Sequence, residues 1–312
     1  MASRPAIRPS DVGRAQALQA RINNFESQNG ELAGFRSESF RDAFIAQVID
    51  SCRRVEFITL LKSRHLEEAS LTARGRGFDP LRGAIIMSRR QEHDEACWLV
   101  FVSAHFARNR RTEWQLAGDF YNRLYSGDQW SWKAVTAAPH LAVEWLDANR
   151  DALRSAGGRF GNHRKYESLS GLGTGRTIST YVDWVGDSHS RLFREAAPLE
   201  ASPQGRFAAL YKSMASVYRF GRIGRFDYLT MIYKLALAPI APDSCHLEGS
   251  ATGPRFGAKL LIAGSPNAPT PVSVLEARLQ SLCEALQVSP DILEDALCNW
   301  QKSPGRYVYF AG

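Results

Sequence analysis

The chain has 312 residues, of which 44% are hydrophobic, and it carries a formal net charge of +7 with an isoelectric point near 9.3. This length and apolar content are sufficient for a packed core in one large domain or in two lobes, which excludes an intrinsically disordered chain. The basic charge favours a polyanionic partner.

The cysteines and the N-terminus bear on metal sites and on cellular location. The five cysteines are odd in number and widely spaced, without a C-x-x-C pair or a Cys/His cluster at zinc-ligand spacing. We therefore expect free thiols in a reducing cytoplasm, and neither a metal nor a cofactor. The first residues lack the apolar core of a signal peptide, and no window approaches eighteen consecutive apolar residues. A cytoplasmic protein without a membrane segment is expected.

Apolar periodicity predicts several helices. Residues 36–62 repeat apolar side chains at helical spacing, which predicts a long amphipathic helix. Residues 92–107 are apolar nearly all round after an acidic first turn, as in a central helix buried on most faces. Residues 272–287 and 290–301 predict two further helices, the last with Ser289 as its N-cap. No convincing strand pattern appears, so an all-α fold is expected.

The central helix contains candidates for a pocket that receives a nucleobase. A buried polar residue beside aromatic rings is one way to line such a pocket, which points to Glu95, Trp98 and His105. The alternative for His105 is a core histidine whose ring nitrogens find protein partners. Aromatic side chains from Trp114 to Trp145 alternate with arginines, which fits either base stacking or ordinary core packing.

A polar connection after Gly157 and Gly158 gives the best domain boundary, and we predict helical lobes at 1–155 and 156–312. Six consecutive residues in this connection combine hydrogen-bonding, cationic and aromatic groups: Asn162, His163, Arg164, Lys165, Tyr166 and Glu167. The first four are predicted to contact DNA and the last two to line the base pocket. The alternative is the solvated start of a helix.

The stretch from 218 to 250 is predicted to be the functional centre. Two predicted helices, 207–218 and 226–237, flank a glycine hairpin, because glycines permit positive φ and the close approach of backbone amides. The predicted phosphate contacts of this hairpin are Gly221, Arg222, Gly224 and Arg225. Asp243 follows Pro242, nineteen residues after Gly224. The alternative is an ordinary helix-turn-helix corner in which Asp243 only caps a helix.

A hairpin followed at this distance by a carboxylate resembles the helix-hairpin-helix DNA glycosylases. The resemblance implies that Asp243 faces an extruded nucleotide and supports cleavage of the N-glycosidic bond. Members with lyase activity carry a lysine just after the hairpin, where this chain has Arg225 and Phe226. The resemblance therefore implies a monofunctional enzyme.

Longer motifs extend the resemblance over about residues 75–265: FDPLRG (78–83), DEACWLVFVSAHF (94–106), GNHRKYESL (161–169), FGRIGRFDYLTMIYKL (220–235) and ATGPRFGAKLL (251–261). Together they resemble the alpha-glutamyl/putrescinyl thymine pyrophosphorylase family, clade 3, which is regarded as helical and DNA-glycosylase-like. The resemblance implies a two-lobed, all-α fold with a helix-hairpin-helix element, and double-stranded DNA carrying modified bases as the partner.

Two activities follow from this resemblance. Bacterial members include anti-phage DNA glycosylases, which implies excision of hypermodified bases such as glucosylated hydroxymethylcytosine from phage DNA, leaving abasic sites. The family name instead implies transfer of an amine or amino acid onto activated hydroxymethyluracil in DNA. The chain shows neither a cluster of metal-binding carboxylates nor a pyrophosphate loop, so its residues favour the glycosylase. A DNA-binding module without chemistry is the third possibility.

Overall fold

The computed structural model describes residues 7–198, 201–249 and 252–310, and their regular structure is helical. The α-helices are α1 (Val12–Asn29), α2 (Glu38–Ser63), α3 (Ala69–Thr72), α4 (Pro80–Arg89), α5 (His93–Phe106), α6 (Gln115–Tyr121), α7 (Trp132–Ala137), α8 (Pro139–Ala148), α9 (Arg150–Ser155), α10 (Arg176–Val185), α11 (His189–Glu195), α12 (Pro203–Ser213), α13 (Arg222–Lys234), α14 (Thr252–Ala263), α15 (Val272–Leu286) and α16 (Pro290–Trp300). Over the same residues, β-type pairing is limited to a single bridge between Asn109 and Glu113. The predicted all-α fold is confirmed. None of these helices is both long and apolar enough to cross a bilayer.

The helices form two compact units. Of the described residues, one unit combines 7–58 with those of 242–310, and the other comprises those of 59–241. This division differs from the lobes 1–155 and 156–312 expected from the sequence, because N-terminal and C-terminal helices share one core. The connection at Gly157 and Gly158 lies inside the second unit.

The core of the first unit forms where α2 meets the C-terminal helices. The indole of Trp300 packs edge-on against the ring of Phe44, with 5.6 Å between the ring centroids. A Cβ on Gly257 of α14 would lie 2.4 Å from the carbonyl oxygen of Leu297, so glycine permits α14 to lie close against α16. The predicted helices 36–62, 272–287 and 290–301 are confirmed as α2, α15 and α16. Ser289 is the N-cap residue of α16, although its side chain accepts no capping hydrogen bond.

The second unit is built around α5, which confirms the helix predicted at 92–107. The helix is buried along nearly its whole length and packs against α4, α6, α7, α11 and α13. The ring of Phe101 stacks on Tyr181 with 3.7 Å between centroids. The buried hydroxyl of Tyr181 makes two hydrogen bonds: its Oη lies 2.7 Å from His189 Nε2 and 3.0 Å from Tyr228 Oη. Aromatic packing with satisfied polar groups therefore holds this unit together.

The glycine hairpin differs from its sequence prediction. The second helix, α13, begins at Arg222 rather than at residue 226, so Gly224 lies in the first turn of a helix. Gly221 has a φ of −70°, and the residue with left-handed backbone in the turn is Arg219, with a φ of 53°. Neither Gly221 nor Gly224 adopts the positive φ that glycine permits. Gly224 instead permits a close approach, because a Cβ there would lie 3.2 Å from Arg164 Nη1.

Candidate functional site

Asp243 lies in the first unit, in an irregular loop over residues 242–249. No helix begins in this loop, so the alternative in which Asp243 caps a helix is wrong. The side chain is 24% exposed, and its Oδ1 lies 2.9 Å from Nε2 of His246. Within the described part of the chain, Oδ2 has no hydrogen-bond partner, which leaves one carboxylate oxygen available to a ligand.

The imidazole of His246 lies between two carboxylates. Its Nε2 bonds Asp243, and its Nδ1 lies 3.4 Å from Oε1 of Glu248. Burial lowers the pKa of His246, but the hydrogen bonds and charges of Asp243 and Glu248 outweigh that effect and raise the pKa to about 9. His246 is therefore an imidazolium at neutral pH, with both ring nitrogens acting as donors. Asp243 is held by a cation that also fixes its orientation.

Glu276 of α15 fixes the backbone of the same loop. Its Oε2 accepts a hydrogen bond from the amide of Cys245 (3.1 Å), and its Oε1 accepts one from the amide of Leu247 (2.6 Å). His246, between these two amides, has a φ of 49°, which costs a non-glycine residue energy. Strained backbone of this kind persists where surrounding contacts over-determine it, and such positions cluster at functional sites.

The sequence interpretation missed His246, Glu248 and Glu276. A signal was present for the first two, because Asp-x-x-His followed two residues later by Glu places three titratable groups within one short loop. Glu276 had no such signal, since it lies twenty-eight residues after Glu248 in the sequence and reaches the loop only because α15 packs beside it.

In the second unit, Arg164 joins several segments that the sequence singled out separately. Its Nε donates to the carbonyl oxygen of His105 (3.2 Å), and its Nη2 lies 3.3 Å from His105 Nδ1. The guanidinium also lies 3.5 Å from Oε1 of Glu167 and 5.0 Å from the ring centroid of Phe220. With Gly224 beside it, Arg164 brings together three predicted site residues: His105, Glu167 and Gly224. Only 6% of Arg164 is exposed, so its guanidinium holds these segments together inside the unit.

His105 has the partners of a satisfied core histidine. Burial, and then the charge of Arg164, lower its pKa well below the ordinary value, so the ring is neutral. Its Nδ1 accepts from Arg164, and its Nε2 donates to Thr174 Oγ1 over 3.0 Å. Thr174 in turn donates to the carbonyl oxygen of Ser168. This chain of bonds anchors the connection after residue 160 to the end of α5.

Glu95 and Trp98 also lie in the interior of the second unit. Glu95 accepts hydrogen bonds from Tyr121 Oη (2.7 Å) and from the amide of Trp132 (2.6 Å). Burial raises the pKa of Glu95 to about 7 even though both donors oppose that shift. The indole of Trp98 is fully buried and donates to the carbonyl oxygen of Trp130. Both side chains have protein partners, and neither opens onto the surface.

The other predicted residues of the connection are exposed. Asn162, His163 and Lys165 face solvent, and Tyr166 is 86% exposed. The ammonium of Lys165 lies 5.0 Å from the ring centroid of Tyr166. An exposed ring beside a cation is suited to a flat, negatively charged ligand.

The arginines of the hairpin have protein contacts. Arg222 is 6% exposed and lies over the ring of Phe226, 4.8 Å from its centroid. Arg225 donates from Nη1 to the carbonyl oxygen of Tyr211 (3.0 Å) and stacks on that ring. Gly221 is exposed at the start of α13. These contacts orient both guanidinium groups along the protein rather than outward.

Comparisons with known proteins identify one family. The model of the family described as alpha-glutamyl/putrescinyl thymine pyrophosphorylase clade 3 matches residues 39–312, which is most of the chain. No curated protein and no solved structure gives a match. Among the described side chains, no group of three or more His, Cys, Asp or Glu residues is arranged to hold a metal ion. The family name describes an enzyme of thymine modification. The chain belongs to the alpha-glutamyl/putrescinyl thymine pyrophosphorylase clade 3 family.

Proposed function

We propose that this protein is a monofunctional DNA glycosylase that removes hypermodified bases from phage DNA and so serves antiviral defence. Its proposed substrate is glucosylated hydroxymethylcytosine in double-stranded DNA, and its product is an abasic site. The observation that carries the proposal is the carboxylate of Asp243, which has one oxygen held by His246 and the other open.

The chemistry needs a fixed negative charge beside the sugar. As the bond between C1′ and the base nitrogen breaks, its electron pair leaves with the base and the sugar becomes positively charged. Water then adds to C1′ and gives up a proton, while the departing base gains one. The open oxygen of Asp243 would stabilise the positive sugar, and the hydrogen bond from His246 would hold that oxygen in place. A carboxylate held before reaction avoids the cost of orienting it during reaction.

The protonation state of His246 favours this role over general-base catalysis. Removal of a proton from an attacking amine requires a neutral imidazole, whereas the two carboxylates keep His246 protonated up to about pH 9. An imidazolium bonded to Asp243 also keeps that carboxylate paired with a cation over the physiological pH range. The pair therefore fits electrostatic stabilisation of a cation better than activation of an amine.

The proposed DNA contacts divide according to exposure. We assign Asn162, His163 and Lys165 to the DNA backbone and Tyr166 to stacking on a base, because these four side chains are exposed. Arg164, with His105 behind it, is assigned to holding this segment in position. The amides of Gly221 and its neighbours at the start of α13 remain candidates for a phosphate.

Transfer of an amine or amino acid to hydroxymethyluracil is the second candidate function, and the family name favours it. One experiment separates the candidates. The purified protein is incubated with plain phage DNA and with phage DNA carrying modified bases, with and without added amines, and bases are analysed by mass spectrometry. Hydrolysis gives free modified base and abasic sites without an added amine. A base that gains mass only with an amine would establish transfer, and binding without product would leave a DNA-binding module.

A further inference from the structure

Two neighbouring loops of the second unit carry an unusual concentration of exposed cations. One loop follows α5 and covers residues 107–113, and the other covers residues 158–165. The exposed cationic or titratable side chains on them are Arg108, Arg110, Arg111, Arg159, His163 and Lys165. Together the two loops contain one acidic residue, Glu113, whose Oε1 lies 3.1 Å from Nη2 of Arg108. We call these two loops the paired-loop surface.

Hydrogen bonds hold the two loops side by side. The amide of Gly161 donates to the carbonyl oxygen of Phe106 over 2.9 Å. Asn109 Nδ2 donates to the carbonyl oxygen of Phe160 over 2.8 Å, and the amide of Arg159 donates to Thr112 Oγ1 over 3.2 Å. These three bonds place residues 106–112 of one segment beside residues 159–161 of the other.

Glycine makes this contact possible. A Cβ on Gly161 would lie 2.6 Å from Ala107 Cβ and 2.9 Å from the carbonyl oxygen of Arg108. Both distances are shorter than van der Waals contact, so a larger residue would clash here. A Cβ on Gly158 would lie 2.7 Å from the amide nitrogen of Leu116. Gly161 therefore allows the second loop to lie against the first, and Gly158, one of the two glycines suggested as a domain boundary, allows it to lie against the start of α6.

Hydrogen bonds within each loop also hold the paired-loop surface in its conformation. Asn109 Oδ1 accepts hydrogen bonds from the amides of Arg111 and Thr112, and the backbones of Asn109 and Glu113 bond each other in both directions. Arg164, buried beneath the second loop, fixes it to the end of α5. A surface formed in advance costs little ordering entropy on binding.

The geometry points to the paired-loop surface as an extended DNA contact, in which Arg110, Arg159 and their neighbours on the two loops add phosphate contacts to those proposed for His163 and Lys165. The exposed cations are distributed along both loops, which suits a linear polyanion better than a small anion. Tyr166, exposed beside Lys165 at the end of the second loop, adds a ring for stacking. This inference rests on the proposed function, since it takes DNA as the substrate.

The test uses the full chain and a plain duplex oligonucleotide. Arg110→Gln and Arg159→Gln are combined, because neither side chain makes a hydrogen bond or ion pair in the described structure. The control combines Arg194→Gln of α11 with Lys212→Gln of α12, which removes the same charge. The control residues lie away from the paired-loop surface. Helices α11 and α12 are neighbours, because Leu192 and Ser213 line the same cavity. Helix α11 contacts α5 at Asp94, and this end of α5 is about 18 Å from Phe106, where the paired-loop surface begins.

Affinity is measured by fluorescence anisotropy at several salt concentrations. Loss of two phosphate contacts should reduce the slope of log affinity against log salt by about 1.8, whereas the control should leave the slope unchanged. Equal slopes for the wild type and the Arg110/Arg159 variant would overturn the inference, as would an equal loss in the control. If the wild type itself fails to bind DNA, the inference and the proposed function both fail, whereas wild-type binding with an unchanged slope in the Arg110/Arg159 variant overturns the inference alone.

Discussion

Replacement of His246 by glutamine tests the architecture of the Asp243 loop. The pKa of His246 rises from an ordinary 6.5 to about 9, which corresponds to about 3 kcal/mol of net preference for the charged imidazole, after the cost of burial is set against the attraction of its two carboxylates. Solvent reaches Glu248, whose side chain is 48% exposed, and Asp243, so the net stabilisation should be about 1–2 kcal/mol.

The sign of the pH dependence follows from the raised pKa. A histidine with a higher pKa in the folded state stabilises the fold fully below pH 6.5, and that stabilisation is lost as the pH rises through about 9. His246→Gln should therefore lower the free energy of unfolding by about 1–2 kcal/mol at pH 6 and by much less at pH 10. His65→Gln is the matched control, because the His65 side chain is 88% exposed.

Urea denaturation at pH 6, 7.5, 9 and 10 measures these differences, and a histidine NMR titration of the wild type measures the pKa of His246 directly. The reasoning is refuted if the difference between wild type and His246→Gln is the same at every pH. A titration midpoint near 6.5 for His246 would refute it independently.

Two further substitutions test packing in the second unit. Gly161→Ala should cost ~1–3 kcal/mol of stability, because its Cβ would lie 2.6 Å from that of Ala107. Gly13→Ala in α1, where nothing lies within 4 Å, should instead be neutral or stabilising, and equal thermal shifts for the two variants would contradict this account. Tyr121→Phe removes a donor to Glu95, whose pKa is about 7, so the loss in urea stability should be ~1–3 kcal/mol at pH 8.5 and smaller at pH 5, where Glu95 is protonated. A greater loss at pH 5 than at pH 8.5 would contradict that assignment.

The helices could be predicted because their signal is local. Apolar side chains at spacings of three and four defined α2, α5, α15 and α16 to within a few residues. The division into units could not be predicted in this way, since the first unit joins helices from both ends of the chain. Such pairing depends on contacts between residues more than two hundred positions apart, such as the bond from Trp300 Nε1 to the carbonyl oxygen of Phe40.

The candidate site could be predicted only in part. The sequence singled out Asp243, but its partner His246 depends on a left-handed backbone that no local propensity indicates. The sequence predicts that Arg164 contacts phosphate because it lies in the polar connection after Gly158. The neutral ring of His105 and the space beside Gly224 instead provide a buried position for its guanidinium. Both outcomes depend on residues distant in the sequence.

The most direct test of the proposed catalysis is the rate at which Asp243→Asn releases modified base from phage DNA. Asparagine keeps the size of the side chain and can still accept a hydrogen bond from His246, but it lacks the negative charge. Excision under single-turnover conditions should fall by at least ~100-fold, while DNA affinity and helical content stay unchanged. Release of the modified base at the wild-type rate would remove Asp243 from the mechanism and contradict the account.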